Sequence, residues 1–309
     1  MTNIPKVFHF VFGLREQTEP FHLSHYMAIQ SCIRVNKPDK VYFHYEHLPY
    51  GPWWEQIKGS LTLNKIKKDQ FMAAYTYGNP SLEAYRYAHI SDVSRLQILL
   101  VYGGVYADID TIFIKPIPEE LYQYPCVMGH EKADLHAPAA AAAGGSLCNA
   151  FIMAEKNASF IQHWLDHIFD EFDGSWSAHS TFLPYRLSQA YPDTIHVEPE
   201  QSFFHLDWTR EGIRSLFTQN VELPGHVYSL HLWSHLWWNR ERTDFTFFHE
   251  GRLTPDYIRY GNTTYSRLAK PFLPETAAAS PGGYRAERRK ALLENIRLFL
   301  ARRMRKRHA

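Results

Sequence analysis

Two aspartates, Asp108 and Asp110, follow the short apolar segment 105–107 and are separated by a single residue. Residues i and i+2 of an extended segment point the same way, so both carboxylates can meet one hard cation. Mg²⁺ or Mn²⁺ prefers such oxygen ligands and commonly bridges a carboxylate and a substrate phosphate. A cation at this position would neutralise charge on a diphosphate leaving group. A solvated turn that carries two acids is the alternative interpretation.

The residues before this pair predict the elements that position it. Apolar residues recur at intervals of three and four between residues 82 and 102, which predicts a helix. Asp92 and Arg95 lie one turn apart on another face of that helix. Gly103 and Gly104 end it, and a short strand then leads into the aspartates. Alone, Asp92 and Arg95 could be a helix ion pair worth a few tenths of a kcal/mol.

The N-terminal half predicts an α/β fold with a parallel sheet. An apolar strand at 7–12, a helix at 24–35 and a strand at 40–45 are joined by short links, as in parallel sheets. Segment 137–145 is rich in alanine and glycine and predicts a loop. Later predicted elements are a helix at 160–172 and strands at 201–208 and 227–233.

Composition is that of an ordinary globular protein: of 309 residues, 45% are hydrophobic and 21% charged. The three cysteines, Cys32, Cys126 and Cys148, are odd in number and not at metal-ligand spacing. They therefore predict no zinc site and no disulfide framework, and they favour a reducing compartment. The sequence has no signal peptide and no apolar run long enough to span a bilayer, which favours a cytoplasmic, bacterial protein.

The C-terminal region differs in charge from the rest of the chain. Residues 281–309 carry ten Lys and Arg against two Glu, a net +8, which leaves −7 elsewhere because the total is +1. We therefore expect a main domain at 1–270, a linker at 271–283 and a basic amphipathic helix within 284–309. An anionic membrane surface is the favoured partner of this helix. Nucleic-acid contact, which we do not expect, and docking to protein are the alternatives.

The segment from Ser91 to Asp110 resembles the sugar-binding region of the Asp-X-Asp glycosyltransferases of family 32. Each position of the family pattern is matched: Ser-Asp-X-X-Arg, then Tyr-Gly-Gly-X-Tyr-X-Asp-X-Asp. Segments 4–9, 149–154 and 231–237 also resemble the family. The resemblance implies a GT-A-like, half-Rossmann nucleotide-binding sheet with an added acceptor region. It further implies retaining, Mn²⁺- or Mg²⁺-dependent transfer of a hexose in polysaccharide biosynthesis, from a UDP- or GDP-sugar to a glycan or lipid-linked saccharide.

The resemblance also implies catalytic-site roles for five residues. Asp92 matches an acid that contacts the donor ribose or sugar, and Arg95 matches an arginine that contacts the sugar and phosphates. Asp108 matches the first motif aspartate, which holds ribose or sugar hydroxyls and the metal. Asp110 matches the direct metal ligand, and Asn149 matches a polar residue near the reacting sugar. From its residue type alone, Asn149 could instead cap a turn.

The late motif and the opening strand supply the remaining implied site residues. His231 and Trp237 match a motif that closes over the diphosphate, and His231 is predicted as a third metal ligand, with a core histidine as the alternative. Phe12, Tyr106 and Trp237 are predicted to bind the nucleotide. The family has tryptophan nearby in the opening strand, so stacking on the base would fall to Phe12. A family serine is replaced by Leu236, which leaves the donor identity open.

Two functions of other classes remain. A non-catalytic module that binds a nucleotide-sugar or glycan is supported by the loss of the serine at Leu236. A nucleotidyltransferase also uses paired carboxylates and Mg²⁺, but a Gly- and Lys/Arg-rich phosphate loop near the first strand would be expected. The sequence Gly13-Leu14-Arg15 matches such a loop poorly.

Overall fold

The computed structural model describes residues 3–134, 136–240 and 247–305, with side chains to residue 300. Two compact units make up the chain. The first contains the described residues up to His205, together with His226–His231. The second contains Leu206–Gly225 and the described residues from Leu232 onward.

The strands of the first unit form two sheets. They are β1 (Val7–Phe12), β2 (Lys40–Tyr45), β3 (Thr62–Lys65), β4 (Gly104–Ala107), β5 (Thr111–Phe113), β6 (Cys126–His130), β7 (Leu147–Ala154), β8 (His196–Glu198) and β9 (Ser229–His231). The larger sheet has the order β3-β2-β1-β4-β7-β6-β8. Strands β1 to β4 pair in parallel, whereas β7 runs antiparallel to β4 and β6. The parallel half confirms the predicted α/β fold class. The smaller sheet is the antiparallel pair of β5 and β9.

The helices of the first unit are α1 (Leu23–Asn36), α2 (Pro52–Ile57), α3 (Gln70–Ala74), α4 (Arg86–Tyr102), α5 (Pro138–Ala143), α6 (Ser159–Ile168), α7 (Leu183–Ala190) and α8 (Glu200–Phe204). Helix α4 packs against α6 in the main core. Its apolar residues Ile90, Val93, Leu96 and Leu99 are fully or almost fully buried there. Each such burial stabilises the fold by about 1.5–3 kcal/mol. This packing fixes the face of α4 that carries Asp92 and Arg95.

Two local predictions were wrong. The predicted strand at 201–208 is largely the helix α8 and the loop after it. An apolar run of this length fits a strand or a buried helix equally well. Here the ring of Phe203 stacks on Phe151, with centroids 4.1 Å apart, and that contact favours the helix. The predicted loop at 137–145 contains the short helix α5, because its alanines have high helix propensity.

The second unit is helical and contains α9 (Arg210–Phe217), α10 (Pro255–Tyr260), α11 (Thr264–Ala269) and α12 (Pro281–Arg305). Helix α12 agrees with the predicted basic helix, and residues 306–309 of that prediction lie outside the described residues. Within the predicted linker, Phe272 and Leu273 are buried. The domain boundaries at 270 and 283 stay a prediction. Among the described residues, no helix combines the length and hydropathy of a membrane span.

Helix α12 is attached to its own unit through its polar face. Glu294 accepts hydrogen bonds from Arg252, at 2.7 Å, and from His249, at 3.2 Å. Two helical turns earlier in α12, Glu287 accepts a hydrogen bond from the Thr254 hydroxyl, at 2.8 Å. Contacts of the polar face leave the apolar stripe of the helix on the outside.

A chain of buried histidines joins the central strands. His9 on β1 donates from Nε2 to the carbonyl oxygen of Gly103, at 2.8 Å. Its Nδ1 must then accept, and it lies 3.0 Å from Nε2 of His44 on β2. The remaining nitrogen of His44 accepts from the Asn64 side chain, at 3.0 Å. Burial lowers the pKa of His9 to about 4 and that of His44 to about 3.

Acid should therefore weaken the fold. Below pH 6.5 the unfolded chain binds protons on these histidines that the folded chain does not. The free energy of unfolding should fall by up to about 1.4 kcal/mol per pH unit for each histidine, down to about pH 4. Urea denaturation between pH 7.5 and 4.5 measures this slope. Compared with the wild-type protein, the variant His44→Gln should show a shallower dependence of the free energy of unfolding on pH. The variant His136→Gln, which replaces an exposed histidine, should not. Equal slopes in all three proteins would contradict the assignment.

Candidate active site

The two glycines after α4 allow β4 to lie directly against β1. Gly104 has φ of +105°, and a Cβ atom there would lie only 2.5 Å from the carbonyl oxygen of Val7. Gly103 has φ of +64° and accepts the hydrogen bond from His9. Glycine alone adopts such backbone angles without strain. The Gly-Gly pair of the sequence is therefore the corner that positions β4 and the residues that follow it.

Asp108 and Asp110 lie in the turn between β4 and β5. The amide of Asp108 donates to the carbonyl of Ala150 on β7, at 2.8 Å, and the amide of Thr111 donates to the carbonyl of Asp108, at 2.9 Å. The short strand that was predicted to lead into the aspartates is β4, but the aspartates themselves lie in a turn, so the alignment expected for residues i and i+2 of an extended segment does not hold. The turn still brings the two carboxylates together, since it is held at both ends by strands.

The small sheet brings His231 to the aspartates. Thr111 on β5 pairs with His231 on β9, so His231 lies beside Asp110. Its Nε2 is 3.0 Å from Oδ1 of Asp110 and 3.7 Å from Oδ2 of Asp108. Asp108, Asp110 and His231 each offer one possible ligand atom, and these three atoms lie within 4.8 Å of one another. Two carboxylates and an imidazole at this separation fit a divalent cation such as Mn²⁺ or Mg²⁺.

Arg95 connects these residues to Asp92. Its guanidinium lies 3.0 Å from Oδ1 of Asp92 and 3.3 Å from Oδ1 of Asp108, and it is almost completely buried. It also donates to the carbonyl of Asn149 on β7, at 2.6 Å. The ring of Tyr106 lies under the guanidinium, 4.7 Å away, and its hydroxyl donates to Asp108 at 2.6 Å. Arg95 thus lies between two carboxylates.

Asp92 is held by three donors. Arg95 and the side-chain amide of Asn149 contact Oδ1, the latter at 2.8 Å. His179 contacts Oδ2 from Nε2, at 2.9 Å. A carboxylate offers about four acceptor positions, so Asp92 keeps one for a further donor such as a sugar hydroxyl.

Burial opposes charge throughout this cluster, and the neighbours decide the outcome. Burial alone would raise the pKa of Asp92, but Arg95 and His179 hold it below its usual value. Burial raises the pKa of Asp108 despite Arg95. Burial would lower the pKa of Arg95, but Asp108 raises it. Burial would likewise lower the pKa of His231, but Asp110 raises it. The guanidinium of Arg95 therefore stays positively charged, but it does not neutralise all the negative charge of the carboxylates around it.

Comparison with known proteins agrees with this geometry. The family model "Glycosyltransferase sugar-binding region containing DXD motif" matches residues 24–128. "Glucan organizing enzyme 1" of the fungus Cryptococcus neoformans var. grubii is 32% identical over 281 residues, which are 87% of this chain and 71% of the fungal protein. This chain belongs to the DXD glycosyltransferase family.

Other similar proteins are also glycosyltransferases. The human "Alpha-1,4-N-acetylglucosaminyltransferase" is 26% identical over 75% of this chain and 57% of its own length. The solved glycosyltransferase GlyE of Streptococcus pneumoniae TIGR4 is 15% identical, with a TM-score of 0.47 over 87% of this chain and 63% of its own. The galactosyltransferase LgtC, solved with donor and acceptor sugar analogues, is 13% identical, with a TM-score of 0.46 over 91% and 99%.

Two predicted nucleotide-binding residues of this glycosyltransferase lie in other surroundings. Phe12, at the end of β1, is half-buried and packs against Phe21 and His25, with ring centroids 5.2 and 5.0 Å apart. Trp237 belongs to the second unit, where it is buried against Phe217. Their roles in nucleotide binding stay predictions. The structure brings the other seven predicted site residues together, which are Asp92, Arg95, Tyr106, Asp108, Asp110, Asn149 and His231.

Two residues of the glycosyltransferase site were missed by the sequence analysis. His179 lies in a π-helical turn, Ala178–Phe182, and contacts Asp92. Glu131 follows β6 and accepts a hydrogen bond from Ser146, at 2.7 Å. Burial raises the pKa of Glu131, and it is close enough to His231 to interact with it electrostatically. Neither residue stands in a motif, so only the fold reveals that they belong to the site.

Replacing Arg95 should destabilise this glycosyltransferase. The variant Arg95→Met leaves the buried Asp92 and the half-buried Asp108 without their cation, and loss of one partner of a buried ion pair costs about 3–5 kcal/mol. The matched control is Arg214→Met, which removes an exposed i,i+3 partner of Glu211. Exposed pairs contribute at most about 1 kcal/mol. Denaturant unfolding measures both variants, and equal losses would contradict the central role of Arg95.

Proposed function

We propose that this glycosyltransferase transfers a hexose from a UDP- or GDP-sugar with retention of configuration, in a reaction that depends on Mn²⁺ or Mg²⁺. The supporting observation is the contact chain from Asp92 through Arg95 and Asp108 to His231 and Asp110. It joins a group able to accept from sugar hydroxyls to a group able to hold a cation. Transfer of a sugar from a nucleoside diphosphate can use both, the first to hold the sugar and the second to stabilise the leaving group.

Each side chain then has a defined task. Asp108, Asp110 and His231 would hold the divalent cation, which neutralises charge on the departing diphosphate when bound. Arg95 has a fixed guanidinium and would donate to the donor phosphates or sugar. Asp92 would accept from a sugar hydroxyl at its remaining position, and Asn149 would hold Asp92 in that orientation. Such preorganised groups stabilise charge without reorganising during the reaction.

Retention requires the acceptor hydroxyl to arrive on the face from which the diphosphate departs. In a front-face reaction the departing phosphate takes the proton of the acceptor, so no protein nucleophile or base is needed. The anomeric configuration of the product, read by NMR, tests this part of the proposal.

The relatives indicate which donors and acceptors to test first. The fungal relative is named for glucan organisation and the human relative for transfer of N-acetylglucosamine. UDP-glucose and UDP-N-acetylglucosamine therefore head the panel, followed by UDP-galactose and GDP-mannose. Glycans and lipid-linked saccharides of polysaccharide biosynthesis are the proposed acceptors.

Donor hydrolysis tests the proposed reaction. With Mn²⁺ and no acceptor, the protein should release nucleoside diphosphate from one member of the panel. A cation is worth several kcal/mol to charge development, so chelation or Asp110→Asn should lower the rate by at least about 100-fold. The control Asp193→Asn changes an exposed aspartate and should keep the rate.

The products separate the proposal from its rivals. Release of pyrophosphate in a parallel assay with a nucleoside triphosphate and a sugar 1-phosphate would indicate a nucleotidyltransferase. Donor binding in calorimetry with no release, even when glycan acceptors are added, would indicate a binding module. Either result would refute the proposed transferase reaction.

We also propose that α12 lies on an anionic membrane surface, at the cytoplasmic face of a cell membrane. Its polar face is occupied by the contacts with Arg252 and Thr254. Its apolar side chains are between 48% and 68% exposed: Leu292, Leu293, Ile296, Phe299 and Leu300. Exposed arginines and a lysine flank them. Apolar insertion together with attraction to anionic lipid is the usual basis of such binding.

Vesicle sedimentation tests the membrane proposal. The protein should bind vesicles of phosphatidylcholine and phosphatidylserine, and the double variant Leu293→Asp/Phe299→Asp should bind at least about 100-fold more weakly, because each side chain loses about 1.5–3 kcal/mol of burial. Val101→Asp changes an exposed apolar residue on α4 and should bind normally. Equal binding by all three proteins, or no binding to vesicles, would exclude this surface as the anchor.

A further inference from the structure

His179 has an environment that a structural histidine does not require. It is fully buried in the π-helical turn Ala178–Phe182. Its Nε2 contacts Oδ2 of Asp92 at 2.9 Å, and its Nδ1 has no hydrogen-bond partner among the described residues. Buried polar atoms normally find partners, and those that do not call for an explanation. Within the part of the chain that the structure describes, the one polar side-chain contact of His179 is with the carboxylate that we propose accepts from the donor sugar.

We infer that His179 is a positioning residue for Asp92: it fixes the orientation in which Asp92 accepts a hydroxyl of the donor sugar. The inference rests on the proposed function. A carboxylate can only accept, so Nε2 of His179 carries the proton of this hydrogen bond. Because Oδ1 is already taken by Arg95 and Asn149, the acceptor position left for a sugar hydroxyl is on Oδ2, the oxygen that His179 holds.

The surroundings of His179 hold its ring in one position. The indole of Trp164 donates to the backbone carbonyl of His179, at 2.9 Å. The rings of Phe172 and His89 pack edge-to-face against the imidazole, with centroids 4.7 and 5.3 Å away. A π-helical turn is rare and concentrates at functional sites. In a preorganised site, the residues that support the substrate-binding side chains must themselves be held in place by packing.

Loss of His179 should therefore change the orientation of Asp92 and not the fold around the cation. Without a donor on Oδ2, the carboxylate can rotate toward Arg95 and form a two-oxygen contact with its guanidinium. The sugar hydroxyl then loses its acceptor. The diphosphate keeps its cation, because Asp108, Asp110 and His231 supply the candidate ligands.

The test compares the binding of a nucleotide-sugar with that of its nucleoside diphosphate. Calorimetry with Mn²⁺ would use the sugar nucleotide that the wild-type protein hydrolyses and the matching diphosphate. For His179→Ala we expect about tenfold weaker binding of the sugar nucleotide, unchanged binding of the diphosphate, and a 10- to 100-fold loss of hydrolysis, as is usual for residues behind a site. His179→Gln keeps an N–H donor and should recover most of the loss.

The control is His249→Ala, which removes another buried histidine beside a carboxylate, Glu294, in the second unit. It should leave both affinities unchanged. The inference is overturned if His179→Ala weakens both ligands equally, if it weakens neither, or if His179→Gln is no better than His179→Ala. If wild-type protein hydrolyses and binds no sugar nucleotide, the proposed function fails, and the inference fails with it.

Discussion

The buried guanidinium of Arg95 is the interaction on which the rest of the site depends. Removing such a cation from water is costly, and only close, well-oriented partners offset that cost. Arg95 finds them on three elements: Asp92 on its own helix, Asp108 after β4, and the carbonyl of Asn149 on β7. Helix α4 and the two strands must therefore end at fixed positions, because a small displacement of any one would leave charge buried and unpaired.

The charge balance of the pocket follows from this arrangement. Asp92 and Asp108 share one guanidinium, and Asp110 lies beside His231, which supplies at most one further positive charge. The remaining negative charge favours a divalent cation. An anionic diphosphate would be repelled by this pocket unless a cation accompanied it. Under the proposed function, this charge would make donor binding depend on the cation with no additional residue.

Local spacing predicted that Asp92 and Arg95 lie one helical turn apart and that Asp108 and Asp110 lie close together. The parallel strands and the helix before Gly103 were predictable for the same reason, because periodicity and glycine act locally. Asn149, Tyr106 and His231 were implied by the resemblance to the family. His179 and Glu131 could not be predicted: each stands in irregular chain, and only tertiary contacts bring it to the site. The segment 201–208 was misassigned because its apolar residues suit either element until the ring of Phe203 meets Phe151.

Strand β9 has a consequence for how the protein matures. His231 reaches Asp110 across 121 positions of the chain, and closing such a long loop has an entropic cost that local contacts do not offset. A growing polypeptide can form β1 to β4 and present both aspartates long before β9 exists. Until then the two carboxylates lack their imidazole partner. Completion of the proposed cation site is therefore coupled to late folding, so that an unfinished chain would hold a cation weakly and be poorly suited to the proposed transfer of an activated sugar.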